Sequence, residues 1–296
     1  MRPVSTTLHE LTITDMKKIL LLLATLGLLM GVIACGDEND GPQRGNGVFT
    51  VNTAMINHIY NTHADKALEL SATHNRLTLD TVNHKATLEL NYNDGNSDQT
   101  LKLNDLTAKP KRLGFYVLSS PSDATFSGYV DFNEATMRYQ YTTSNGLRVI
   151  STTPDVFFLY TENTITYDDT TQTTHMQNVM YQFDIEQASK TAIVKVMSIV
   201  HAKDMKFFNN ITAYSVPYTV TTNGFTLSGS NIATTAYYRS YVDSTKSTVA
   251  QTNKYPFKTF NATVDLANDH LDANFKLGDS ATVVATGRTY PDYTSY

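Results

Sequence analysis

Ala124-Thr-Phe-Ser-Gly-Tyr-Val-Asp-Phe-Asn-Glu-Ala-Thr-Met-Arg-Tyr-Gln-Tyr141 is matched, without a gap and at a constant offset of 134 residues, by Lys258-Thr-Phe-Asn-Ala-Thr-Val-Asp-Leu-Ala-Asn-Asp-His-Leu-Asp-Ala-Asn-Phe275. Phe126 meets Phe260, Val130 meets Val264, Asp131 meets Asp265, Met137 meets Leu271 and Tyr141 meets Phe275. The register continues through Val149/Val283, Ile150/Val284 and Thr152/Thr286. Alternation of polar and apolar residues, as in Thr263-Val-Asp-Leu266, marks half-buried strands. The centres of the two copies, 131–135 and 265–269, read as turns, because Asp and Asn side chains bond to nearby backbone. Each copy is therefore a β-hairpin, and the chain carries it twice.

Two weaker markers recur upstream in the same order. Leu79-Asp80, a turn and Lys85-Ala-Thr-Leu-Glu-Leu90 parallel Phe183-Asp184, a turn and Lys190-Thr-Ala-Ile-Val-Lys-Val196. Gly114-Phe115 parallels Gly224-Phe225. Both need small insertions to align, but three ordered markers argue for an internal duplication. Asp94-Gly95, Asn145-Gly146 and Asn223-Gly224 add hairpin turns, as does 80–84. Tyr is abundant at 18 residues and Trp absent, and Tyr, Thr and Val favour strands. Short, closely spaced strands favour a sandwich or barrel over a parallel sheet. The expectation is an all-β fold of two tandem, internally duplicated antiparallel domains, about 48–162 and 163–296. β-Sandwiches are the first choice and small calycin-like barrels the alternative, with a polar linker near Thr161–Thr174. Asn52–Lys66 and Ala233–Tyr241 are read as short helices or turns.

The N-terminus reads as a processing segment. Lys17 and Lys18 precede an apolar run, Ile19 to about Gly31, which ends in Val32-Ile33-Ala34-Cys35. The run is shorter than the ~20 apolar residues of a spanning helix. Residues 1–34 are expected to be a signal peptide starting in effect at Met16, with cleavage after Ala34. Cys35 is the single cysteine, so no disulfide or Cys-based zinc site can form within the chain. The acidic stretch Gly36-Asp37-Glu38-Asn39-Asp40-Gly41 opens a flexible tether over 35–47, about 19 Å long on average as a coil.

The formal charge is −5, and removing residues 1–34 makes it one unit more negative. No basic stripe exists, so nucleic acid is not an expected partner. The eight His residues lack the close spacing of zinc ligands. Asn91–Asp98 is rich in oxygen ligands but places Asn96 and Lys102 where a calcium loop needs Gly and Glu. Nucleophile elbows and phosphate-binding glycine loops are missing. No catalytic residue, metal site or cofactor is nominated. Tyr237, Tyr238 and Tyr241 form a candidate contact surface, since Tyr offers amphipathic area at low entropic cost.

Val32-Ile-Ala-Cys35 resembles the bacterial lipobox, which implies a diacylglyceryl group on the Cys35 sulfur. The acidic residues after Cys35 resemble the surface-export tag of Bacteroidetes lipoproteins. With the repeated Gly-Phe and Val-Asp markers, the chain resembles the duplicated β-rich surface lipoproteins of gut Bacteroidetes. That family brings no established activity. The resemblance implies an outer-membrane lipoprotein facing the cell exterior, or the periplasmic face as the alternative, with the membrane as its first partner. Two β-domains on a lipid leash, with no catalytic motif, lead to the expectation of a non-catalytic binding module for a glycan or an outer-membrane protein. A structural, adhesin or pilus-accessory role is the alternative, and a hydrolase with an unfamiliar site the second alternative. Asp80-Thr81, Asp169-Thr170, Asp243-Ser244 and Asp279-Ser280 also resemble short O-glycan acceptor motifs of that lineage. Cys35→Ser should release the protein from membranes or block its processing, read by fractionation and fatty-acid labelling; unchanged retention and processing would refute the lipoprotein reading.

Overall fold

The computed structural model describes residues 47–201, 209–238, 249–252 and 254–290; Cys35 and Tyr241 lie outside them. All regular structure among the described residues is β. The first sheet contains β1 (Val48–Asn61), β2 (Lys66–Ala67), β3 (Ser71–Asp80), β4 (Lys85–Asn93), β5 (Asp98–Arg112), β6 (Phe115–Ser119), β7 (Ser127–Asp131), β8 (Thr136–Thr142) and β9 (Leu147–Thr152). Each strand from β3 onward pairs antiparallel with the next. β1 closes the circle. Its first part pairs with β3, from Val48↔Asp80 to Asn57↔Ser71, and its last part with β9, from Ile56↔Thr152 to Asn61↔Leu147. Eight strands thus form a closed up-and-down barrel, and β2 adds only to the tip of β1. The first unit is thus a barrel, the alternative form of the all-β expectation.

Side chains fill this barrel, as expected for eight strands. Met55, Ile59, Leu88, Leu106, Tyr139 and Val149 are among the residues fully buried inside. Gly128 on β7 faces Tyr139 on β8. A Cβ there would come within 2.7 Å of the Tyr139 ring and 2.8 Å of the Arg138 carbonyl, so the missing side chain makes room for the ring. Asn57 is buried at 0% exposure. It accepts a hydrogen bond from Ser151 Oγ and donates to Thr73 Oγ1 (2.9 Å) and the Asn91 carbonyl (3.0 Å).

The second sheet contains β10 (Asp155–Phe158), β11 (Tyr160–Tyr167), β12 (Thr173–Gln177), β13 (Met180–Glu186), β14 (Thr191–Ile199), β15 (Asn209–Val220), β16 (Gly224–Ile232), β17 (Thr234–Tyr238), β18 (Val249–Thr252), β19 (Phe257–Asp265), β20 (His270–Leu277) and β21 (Ala281–Arg288). Its order is β10-β13-β14-β15-β16-β19-β20-β21-β11-β12. β10 and β11 are separated by Leu159 alone, yet β10 pairs with β13 and β11 with β21. Together they do what β1 does alone, and the curled sheet repeats the first plan. β17 and β18 form an added hairpin on β15.

The sheet changes between Thr152 and Asp155, about ten residues before the expected boundary at 162. Pro154 marks the change, since proline lacks the N–H that a ladder needs. Thr161–Thr174 is not a linker: it holds β11 and the turn to β12. Of the helix-or-turn reading, only the turn at 62–65 is found among the described residues. Asn52–Lys66 lies in β1, its turn and the first residue of β2, and the described part of Ala233–Tyr241 is mainly β17. Their polar residues fall on both faces of the strands: Asn52 is exposed, while Thr53, Asn57, His58 and Thr234 are buried.

The ladders revise the upstream repeat. Asn57 pairs with Ser151, and Asn163 with Ala285; with 151 and 285 already equivalent, Asn57 matches Asn163. That offset of 106 carries through to β4, where Ala86, Leu88 and Leu90 match Ala192, Val194 and Val196. Asp80 therefore corresponds to Glu186, not Asp184. Likewise Phe115 pairs with Asp131 while Gly224 pairs with Asp265, so Tyr116 is the equivalent of Phe225. The hairpin turns share one geometry. Asp80, Asp131 and Asp265 each accept backbone N–H groups of the turn through Oδ1. The last turn residue is left-handed: His84 (φ 53°), Ala135 (52°), Lys190 (53°) and Asp269 (54°).

The units dock asymmetrically. The outer wall of the first barrel covers one end of the second unit, the end carrying the turns at 187–190, 221–223 and 266–269. Ile56, Leu70 and Ile150 join the core of the second unit. His58 Nε2 lies 2.7 Å from the Thr221 carbonyl, Arg148 Nη2 donates to the Thr222 carbonyl (2.5 Å), and Arg138 Nη1 pairs with Asp269 (2.6 Å). Tyr290, just past β21, donates to the fully buried Asp131 (2.9 Å), which also holds Arg112 (2.5 Å). Leu88→Ala should cost about 2–5 kcal/mol in denaturant unfolding, as a buried truncation does; Val82→Ala, on an exposed turn, should stay within about 0.5 kcal/mol.

Candidate functional site

Six adjacent strands of the second unit present a polar outer face. Ser228, Asn261, Asn274, Val284, Thr164 and His175 are directly opposite one another across β16, β19, β20, β21, β11 and β12. The next row is Thr226, Thr263, Asp272, Thr286, Glu162 and Gln177. Strands lie about 4.8 Å apart, so each row runs about 24 Å. Strand alternation sends the intervening residues inward. Among them Ala262, Ala273 and Ala285 form a row of small side chains against the core. Small inner residues let this part of the wall sink, and the outer face is a trough of about 630 Å³.

The trough is lined by hydroxyls, amides and two carboxylates, with no Lys or Arg among its lining residues. Amides and hydroxyls can donate and accept, and carboxylates accept two bonds at once. Contacts within and between strands pre-set some of them. Thr164 Oγ1 lies 3.2 Å from His175 Nδ1, and His270 Nε2 lies 3.2 Å from Asp272 Oδ1 and 3.3 Å from Thr286 Oγ1. Val284, half exposed, is the apolar spot between them. The arrangement suits an uncharged, hydroxyl-rich ligand lying across the strands.

A carboxyl pair lies elsewhere, where Asp155 on β10 faces Asp184 on β13. Asp184 accepts hydrogen bonds from Gln182 (2.6 Å) and Lys195 (2.7 Å). The Asp155 residue is exposed overall, but partial desolvation of its carboxyl, with the hydrogen bond and charge of Asp184, pushes it up to about 6. Neither carboxyl lines the trough. Two histidines are buried in neutral form. Burial lowers His58, and burial lowers His201 to about 4. His201 stacks edge-on against Tyr255 at 4.2 Å.

Of the residues nominated from sequence, Cys35 and Tyr241 lie outside the described residues. Tyr237 and Tyr238 sit on β17, paired to β15 and β18, away from the strands of the trough. No cluster of three metal-ligating side chains gathers among the described residues. Two of the acceptor-like hydroxyls are engaged: Thr81 Oγ1 with Gly47, and Ser280 Oγ with the His201 carbonyl (2.6 Å). The trough residues escaped the sequence reading because their proximity depends on strand order. No protein-family model matches the chain, and neither a curated protein nor a solved structure matches it.

The raised Asp155 carboxyl has a signed consequence. The folded state binds a proton more tightly than the unfolded state, so this contribution is present below pH 3.8 and lost as pH rises through about 6. Asp155→Asn, which mimics the neutral form, should raise the thermal midpoint at pH 8. That gain should shrink toward zero by about pH 4; an equal gain at both pH values would remove Asp155 as its cause.

Proposed function

We propose that the chain is a lipid-anchored cell-envelope protein whose β-body is a non-catalytic binding module, with the trough of the second unit holding a neutral glycan chain. The observation that carries this reading is the pair of polar rows in one register on a rigid sheet. Sugar hydroxyls recur along a chain, and the rows offer hydroxyl and amide partners at strand spacing. A site on strands holds its groups more firmly than one on loops. Aromatic platforms are absent from the rows, which favours hydrogen bonding over stacking and a modest affinity per sugar residue.

A role by strand exchange would use an open, apolar edge. The first barrel is closed, and β12, at one end of the second sheet, is Thr-Thr-His-Met-Gln177 with most residues exposed. A hydrolase would place two carboxylates about 5 to 9.5 Å apart around a pocket, whereas the trough's own Glu162 and Asp272 stand on either side of Thr286 on an open strand face, about 10 Å apart at strand spacing. The glycan reading therefore has the stronger support. Asn261→Ala combined with Asn274→Ala should weaken binding to a glycan-array ligand at least tenfold with an unchanged melting temperature. Retention of no glycan by the wild-type chain would count against the reading, as would indifference to the double substitution.

A further inference from the structure

We propose that the end of the first barrel that carries Gly47, where the tether joins, is a docking surface for a bilayer with anionic headgroups. The up-and-down strand order gathers the turns after β3, β5 and β7 and the start of β1 at this one end. Gly47 is fixed there. Its carbonyl accepts the Thr81 N–H (3.0 Å), and its own N–H donates to Thr81 Oγ1 (3.0 Å).

Three apolar side chains stand uncovered on this rim. Val48 opens β1, Val82 lies in the β3–β4 turn and Leu113 in the β5–β6 turn, each at least 58% exposed. The turns at the opposite end, 62–65, 94–97, 120–126 and 143–146, hold no exposed large apolar side chain. Apolar tips on one end only mark an interaction surface, and a membrane interface offers them cover without a shaped pocket.

Charge divides the two ends in the same way. Lys85, Lys109 and Lys111 are exposed beside the apolar tips, and none of them is in an ion pair among the described residues. The acids of this end are largely engaged. Asp80 accepts the N–H groups of Val82 and Asn83 and the Asn83 amide, and Asp131 is buried against Arg112 and Tyr290. Glu134 is left exposed. The turns at the opposite end carry Asp65, Asp94 and Asp123 and no Lys or Arg. In a chain of net charge −5, cations thus gather where the tether joins. Lysine stems lie along apolar surface while their ammonium groups reach outward, and each strengthens contact with an anionic leaflet about fivefold.

The orientation rests on the lipid anchor of the reading above. The tether averages about 19 Å. β3 has ten residues and rises about 25 Å along the barrel at the usual strand tilt. A tether shorter than the barrel holds the Gly47 end, not the acidic end, toward the bilayer.

The test places one added cysteine at each end. Leu113→Cys, Val82→Cys and Asn96→Cys are labelled with bimane in the detergent-purified full chain, with wild type labelled in parallel to report any free Cys35. Each is reconstituted into vesicles of phosphatidylcholine, phosphatidylglycerol and a nitroxide-bearing lipid. Quenching at 82 and 113 is expected at least fivefold above that at 96. Lys85→Glu, Lys109→Glu and Lys111→Glu together should lower the docked-to-undocked ratio read at 113 at least tenfold, with an unchanged melting temperature. No quenching at 82 and 113, equal quenching at 96, or indifference to the charge reversal would overturn the surface, while fatty-acid labelling of Cys35 would still support the anchor. A Cys35 without lipid, with both tips quenched, would sink the anchor and keep the surface.

Discussion

One strand hydrogen-bonded along both of its edges organises the first half of this molecule. β1 gives its early residues to β3 and its late residues to β9, so a sheet that would otherwise end in two open edges becomes a barrel. Closure fixes which faces point inward, because alternation along each strand then sorts side chains between core and solvent. The second unit meets the same requirement differently. Its closing strand is broken at Leu159, and β10 stays with β13 while β11 leaves with β21. Side chains bridge the split. Thr161 Oγ1 donates to the Val179 carbonyl (2.5 Å), and Tyr181 donates to Asn163 Oδ1 (2.6 Å). Asn163 is the counterpart of Asn57, which does similar bridging work inside the first barrel.

The duplication was legible where the turn between two strands is equally short in both copies, at 132–135 and 266–269. The β7–β8 and β19–β20 hairpins align without a gap, and their ladders confirm the offset. The upstream markers misled because identical letters filled different faces. Phe115 and Phe225 look equivalent after a glycine, yet Phe225 lies in the core while Phe115 lies on the outer wall under Tyr290. A slip of one residue exchanges the two faces of a strand, so a small alignment error in sequence becomes a reversal in space. The choice between sandwich and barrel was likewise not readable, since it depends on what β1 pairs with at each end and not on its composition.

The candidate sites show the same limit. Alternating Thr, Asn and Asp marked strands with a polar face, but each row joins residues from six separate segments, 162–177 to 226–286. Their neighbourhood follows from strand order alone. The Tyr residues at 237–241 drew attention because they cluster in sequence; in the fold, the described part of that cluster belongs to the added β17–β18 hairpin. Arg138 gave no signal at all as a lone cation in a strand, and its partner Asp269 lies 131 residues away.

The asymmetric docking explains why two copies of one wall now differ. The contact is heterologous: the side of the first unit meets the end of the second, and neither presents the same surface in return. The outer wall of β6 to β8 is therefore covered in the first copy, by the turn at 265–270 and by Tyr290. The equivalent wall of the second copy, β16 and β19 to β20, has no further unit to cover it among the described residues. Covering changes what a wall can carry. Beneath the partner turn, Arg138 can be held by Asp269, because the covered wall excludes water and strengthens charge pairing. On the open wall an acidic or amide side chain stays solvated at little cost, and the surface favours many weak hydrogen bonds over one strong pair. A single duplicated hairpin thus yields a covered wall and an open trough, and the difference between them follows from which copy came first in the chain.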